Sequence, residues 1–215
     1  MNQYASPEML FELIARILCD SIPGNPADAV CIFGQTTEND MVMLESAADI
    51  QKFGRAELVA VTGYEGLKKD EFEVRSSEKF ASLLMNLGVP EKDIVFFPLS
   101  DKFPPCTDAE AVGVVEFAKS QGWKSLIVTV PPLHQVRAFI STVSAAIKWY
   151  PELRVYSMPA AAPSWTEEVI HSQSAPRARR SAQFAGELAK LAKYCEKGDH
   201  FSPAEITEYL DRRDG

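Results

Sequence analysis

Apolar and polar positions alternate along this chain in a repeating cycle. Residues 28–34, DAVCIFG, make a β-rich run closed by glycine. The polar segment QTTEND follows, and VMLESAADIQKFG (42–54) then keeps helical spacing up to Gly54. The cycle recurs as ELVAVTG (57–63), a long polar loop and the helix SSEKFASLLMNLG (76–88). It recurs again as DIVFFP (93–98) with TDAEAVGVVEFAKSQG (107–122), and as KSLIVTV (124–130) with LHQVRAFISTVSAAIKWY (133–150). LRVYSMP (153–159) supplies a fifth strand. Strands that are apolar on both faces, separated by helices of about a dozen residues, predict a parallel sheet covered on both sides. The expected fold class is therefore α/β: a Rossmann-like, doubly wound, mostly parallel sheet of about five strands with helices on both faces.

The two ends carry different patterns. Ser6-Pro7-Glu8 has the cap, the first-turn proline and the acid of a helix opening, which predicts a helix over 6–20 ahead of the first strand. Beyond Pro163 the pattern reads as helices only: WTEEVIHS, then RSAQFAGELAKLAKYCEKG, then SPAEITEYLDRR. Residues 1–163 are expected to form the α/β domain, and residues 164–215 a helical C-terminal layer packed on it.

Composition removes several classes of function. With 30 acidic and 22 basic residues, a net charge of −8 and a pI near 5.0, the chain lacks the cationic surface that phosphate-backbone binding requires. Its one dense basic run, Arg177, Arg179 and Arg180, reads as a solvated helix start or turn. Cys19, Cys31, Cys106 and Cys195 have neither zinc-site spacing nor disulfide-scaffold density, so reduced thiols and a cytoplasmic location are expected. Glu8, Glu12, Arg16 and Asp20 interrupt the N-terminal apolar pattern, against a signal peptide or membrane segment.

In open parallel α/β sheets, ligands bind beyond the carboxyl ends of the strands, where loops diverge and helix N-termini point outward. Polar residues collect there in this sequence: Gly34, Gln35, Thr36 and Thr37 after the first strand, Thr62 and Gly63 after the second, Thr107 after the third, and Thr129, His134 and Arg137 after the fourth. His134 and Arg137, three residues apart, share one helix face. Pro131 and Pro132 rigidify the strand exit and aim that helix. The imidazole suits proton transfer, and the guanidinium suits a phosphate or carboxylate. A structural alternative stands beside each assignment. Thr107 and Glu110 have the spacing of a capping box, and Arg137 could pair with Glu110 or Glu78 to hold helices together. No G-x-G-x-x-G, Walker motif, metal cluster or nucleophile elbow is present in the sequence.

The ordered blocks DAVCIFG, ELVAVTG, SSEKFASLLMNLGVPEKDI, TDAEAV and VTVPPLHQVRAF, spread from Asp28 to Pro159, resemble the YdcF, SanA and ElyC family of bacterial proteins, a domain of unknown function. The resemblance implies a Rossmann-like fold and a polar cluster at the loop after Gly34, at Thr62-Gly63, Glu78, Thr107, Glu110, Thr129, His134 and Arg137. It also implies S-adenosylmethionine or a nucleotide as ligand, and in membrane-anchored relatives a role in cell-envelope biogenesis. The chain departs from the family pattern at Gly34-Gln35-Thr36, where a glycine-rich turn is usual, at Tyr64, Ala111 and Val130.

Three functions are expected to compete. The first is a site for a small anionic molecule, such as a nucleotide, a nucleotide-sugar or a phosphorylated metabolite. In it Arg137 clamps the anion, Thr107 and Thr129 donate hydrogen bonds, and His134 or Glu78 moves a proton. The second is a noncatalytic S-adenosylmethionine or nucleotide-binding module using the same pocket. The third is a structural or interaction protein whose helical tail docks on a partner or a second copy. Sequence leaves the choice between enzyme and sensor open, along with substrate and oligomeric state.

Overall fold

In the computed structural model, which describes residues 6–69, 72–171 and 175–215, the first apolar run becomes β1 (Ala27–Ile32). Ahead of it, α1 (Pro7–Leu18) opens on Ser6, whose hydroxyl accepts from the Met9 N–H at 3.2 Å, and buries Leu13 and Ile17. The chain continues through α2 (Asp40–Lys52), β2 (Ala56–Gly63), β3 (Leu67–Lys69), β4 (Phe72–Val74), α3 (Ser77–Asn86), β5 (Ile94–Pro98), α4 (Thr107–Gln121), β6 (Ser125–Val128), α5 (Pro132–Trp149) and β7 (Arg154–Ser157). It ends in β8 (Glu168–His171), β9 (Ala175–Arg179), α6 (Arg180–Lys197) and α7 (Pro203–Asp214).

The central sheet has five parallel strands in the order β5-β2-β1-β6-β7. The chain winds outward from β1 in one direction, then crosses back to β6 and β7. The switch point of this Rossmann-like fold therefore lies between β1 and β6. Right-handed crossovers put α2 and α3 on one face and α4 and α5 on the other. Val30, Cys31, Val59, Ala60, Val61, Ile127 and Val128 are fully buried between these layers, which is why the strands read as continuous apolar runs.

Two local features place the edge used below. Gly113, in the middle of α4, lies so close to the backbone that a Cβ there would collide with the Pro98 carbonyl oxygen, so α4 can pack tightly beneath the exit of β5. Pro132 occupies the first turn of α5, where its missing N–H breaks no helical bond.

Three expectations are corrected. The polar stretch after Gly63 is not plain loop but a small antiparallel hairpin, β3-β4, whose Val74 bridges to Thr36. WTEEVIH is not helical: Glu168–His171 form β8 and pair with β9, and the β-branched Val169 and Ile170 are both buried where this hairpin meets α6 and the loop after β1. The basic run opens helix α6, as the sequence allowed, with Arg177 and Arg179 exposed, but it is not solvated throughout. Arg177 and Arg179 lie in β9, and the fully buried Arg180 bonds Asn39 Oδ1 at 3.0 Å, the Glu38 and Ser164 carbonyls, and Glu167.

The helical part of the tail, α6 and α7, packs against α5 and, for α7, against α1 as well. Arg213 of α7 ties it down, donating to Asp20 and to the Val155 carbonyl of β7. Among the described residues no helix is long and apolar enough to cross a membrane.

Candidate functional site

At the carboxyl edge of the sheet, next to the switch point, a hollow of about 130 Å³ opens among the loops. Its polar wall is made by Gly34, Gln35, Thr62, Thr107, Glu110, His134 and Arg137, and its apolar rim includes Tyr64, Leu67, Val74, Leu99 and Pro105. Side chains from four separate connections converge here because each parallel strand ends at the same edge.

His134, near the start of α5, is almost fully buried. The amide nitrogen of Gln35 stands 2.6 Å from its Nδ1, and Thr107 Oγ1 lies 3.1 Å from its Nε2. With the Gln35 amide as donor, Nδ1 accepts and the neutral ring carries its proton on Nε2, which donates to Thr107. Thr107 Oγ1 also accepts from Arg137. A hydroxyl has two lone pairs and one hydrogen, so Thr107 keeps its own hydrogen for an acceptor in the hollow that it lines.

Arg137 comes one turn after His134 and is 2% exposed. Its Nε donates to Glu187 Oε2 of α6 at 2.5 Å, one Nη donates to Thr107, and the second Nη makes no hydrogen bond among the described residues. Glu187 is itself buried and also accepts from Lys190 at 2.7 Å. Sequence reasoning offered Glu110 or Glu78 as the partner of Arg137. The structure puts Glu187 there instead, from an element 50 residues further on.

Glu110 is not half of a capping box. The N-cap of α4 is Cys106, and no side-chain cap forms. The Glu110 carboxyl points away from its own helix end, and Oε1 accepts both the Gly34 N–H at 2.6 Å and the Thr62 hydroxyl at 2.9 Å. Both bonds fall on Oε1, so Oε2 makes no hydrogen bond among the described residues, and Glu110 is part of the wall of the hollow. Burial pushes this carboxyl up, the Gly34 N–H, the Thr62 hydroxyl and the Arg137 charge pull it back, and the balance sits at about 7. Such a group exchanges protons in the neutral range.

The other sequence candidates lie outside this wall. Thr36 is buried in the loop after β1, donating to the Ile170 carbonyl at 3.3 Å and accepting from Asn39 at 3.0 Å. Thr37 donates its N–H to the Glu73 carbonyl at 2.9 Å. These two threonines tie their loop to the β8-β9 and β3-β4 hairpins. Gly63 packs beside the Phe97 carbonyl on β5. Thr129 is completely buried, and its hydroxyl has no partner among the described residues. Glu78 sits exposed in the first turn of α3, bonded to the helix start and Ser76, which lower its pKa. It is separate from the cluster because the first turn of α3 buries Ser77 and Phe80 and leaves Glu78 on its solvent side.

The apolar and aromatic rim was not legible in sequence, since Leu67 and Val74 belong to a hairpin read as loop and Tyr64 to the turn that leads into it. His200, to which the sequence gave no role, is buried against Asp108 Oδ1 at 2.7 Å and Ser141 Oγ at 3.0 Å. Although these are the residue types of a hydrolytic triad, one ring nitrogen makes both contacts. A relay needs the two nitrogens to face different partners, so the trio reads as a clasp between α4, α5 and the turn before α7. No group of three or more His, Cys, Asp or Glu placed to hold a metal ion occurs among the described residues. Compared with protein-family models and with curated proteins, the chain finds no match.

Proposed function

We propose that the protein binds a small oxyanion-bearing metabolite, whose phosphoryl or carboxylate group enters the hollow between Arg137, Thr107 and Glu110. The observation that carries this reading is the set of donors left over, among the described residues, on side chains that line one space: the Thr107 hydroxyl, whose lone pairs are taken by Arg137 and His134, and the second Nη of Arg137. Donors of this kind select an acceptor-rich, anionic group. The volume of about 130 Å³ is below the ~300 Å³ at which pockets begin to enclose drug-sized molecules. A nucleotide, a nucleotide-sugar or S-adenosylmethionine would therefore insert a terminal group and leave its remainder across the Tyr64 and Leu67 rim.

Glu110 and His134 are the groups able to move a proton in an enzymatic form of this function, with Arg137 as anion clamp. Glu78 has no part in it. The blocks that resemble the YdcF family agree with a ligand at this edge, and the small-ligand site is preferred to a pure scaffold because its polar wall is drawn from four connections.

The test is a thermal-shift and calorimetric screen of phosphorylated metabolites, nucleotides, nucleotide-sugars and S-adenosylmethionine. A true ligand at a hundred times its Kd stabilises the fold by ~2.7 kcal/mol. Thr107→Val and His134→Gln should each weaken that binding at least tenfold while the far-ultraviolet spectrum stays unchanged. If no anion shifts the melting curve, or if both variants bind as the parent does, the reading fails.

A further inference from the structure

The hollow contains a contradiction for an anion. Its donors, Arg137 and Thr107, invite negative charge, yet the Glu110 carboxyl forms part of the same small wall. Arg137 cannot offset two anions, because Glu187 already holds its Nε. Two negative groups sharing one water-poor space cannot both stay ionised. Glu110 has the geometry to resolve this: Oε1 is fixed by Gly34 and Thr62, so a proton on Oε2 makes it a donor toward the hollow.

Resting on the anion-site reading above, we propose that an oxyanion enters this hollow together with one proton, which is carried on Oε2 of Glu110 and donated to the bound ligand. The site thus takes anion plus proton as a neutral sum, and its affinity follows pH.

The titratable and charged groups around Glu110 support that assignment. Cys31 of β1, Tyr64 beyond β2 and Cys106 at the head of α4 all face it, and burial raises all three, so they stay neutral when the carboxyl titrates. From α5 come His134 and Arg137, and from α6 Glu187 lies behind Arg137. Of these, Glu110 combines a titration point near neutrality, at about 7, with a place in the cavity wall and one oxygen not engaged by Gly34 or Thr62. His134 is the competing proton carrier, and the test separates the two.

Sulfate and acetate serve as probes, since neither changes charge across the neutral range; sulfate stands for a phosphoryl group and acetate for a carboxylate. Titration calorimetry in buffers of different ionisation enthalpy counts the protons taken up. At about pH 8 the expected uptake approaches one proton per anion bound, it fades toward zero below about pH 5.5, and affinity falls about tenfold per pH unit above about pH 7. Glu110→Gln should bind the better probe with no uptake and a flat pH profile, whereas His134→Gln should weaken binding and retain the slope. Infrared difference spectra of the unmodified protein should show a protonated carboxyl band gained when the probe is added. This measurement stands even if the Gln variant folds poorly. Binding without proton uptake, uptake that survives in Glu110→Gln, or no gain of the carboxyl band overturns the proton coupling and leaves the anion site intact. If neither probe binds at any pH, both readings fall.

Discussion

Asp108 and Glu110 stand two residues apart in the first turn of α4, and their carboxyls meet opposite surroundings. Positions i and i+2 do not share a helix face. Asp108 turns to the packing between α4, α5 and the tail, where Ser141 donates to it at 2.8 Å and His200 lies at 2.7 Å. Burial pushes its pKa up, but His200, Ser141 and the Arg137 charge together hold it below the ordinary value. Glu110 turns to the sheet edge, where its two donors are the neutral Gly34 N–H and Thr62 hydroxyl and the nearby guanidinium is already paired with Glu187. Its carboxyl consequently settles at about 7. The difference teaches that burial alone does not make a carboxyl functional. The charge left in its partners, after their other bonds are counted, decides whether it is locked as an ion or left able to exchange a proton.

The largest expected effect comes from the residue whose charge acts on both carboxyls. Arg137→Met leaves Glu187 buried without its main partner, a loss of about 3–5 kcal/mol. Urea unfolding should show this loss, and it should largely recover in the Arg137→Met, Glu187→Met double variant. If the single variant unfolds like the parent, the buried pair is not what holds α6 to α5.

Glu110→Gln comes next, and its sign depends on pH. The folded carboxyl is raised from 4.5 to about 7, so its contribution to stability is full below 4.5, declines as pH rises and is gone above about 7. Relative to the parent, the Gln variant should gain about 3 kcal/mol between those limits. A stability difference that does not move with pH would show that Glu110 titrates normally, and the contrast with Asp108 would collapse.

Asp108→Asn sharpens the other half. A lowered carboxylate contributes stability above its ordinary 3.8, and that stability is lost as pH falls through the folded value. The Asn variant should lose about 1.5 kcal/mol at neutral pH. The gap should close in acid, the reverse of the Glu110 profile. The smallest effect belongs to Glu78→Gln: the melting temperature and anion binding should both match the parent, because the side chain is exposed and away from the hollow.

The alternation of apolar runs and helical spacings was enough to determine the five-stranded parallel sheet, its flanking helices and the edge at which polar residues gather. Each of those features depends on burial periods within a dozen or so residues of chain. The shared face of His134 and Arg137 follows from helix geometry for the same reason. Short elements were not legible. A three-residue strand such as Leu67–Lys69 has too few positions to display a period, and Val169 and Ile170 read as readily in a helix as in a hairpin.

Only the tertiary structure decided what the polar residues do. Thr107 and Glu110 keep capping-box spacing, but the cap falls one residue earlier, on Cys106, and the acid is drawn to donors in the loop after β1 and at the end of β2. Glu187 meets Arg137 across 50 residues, and the pairing, with the neutral donors of Glu110, sets the charge of the hollow. Local pattern records which side chains are buried. The sign and strength of a buried charge depend on partners brought from distant parts of the chain, and only the folded arrangement specifies those.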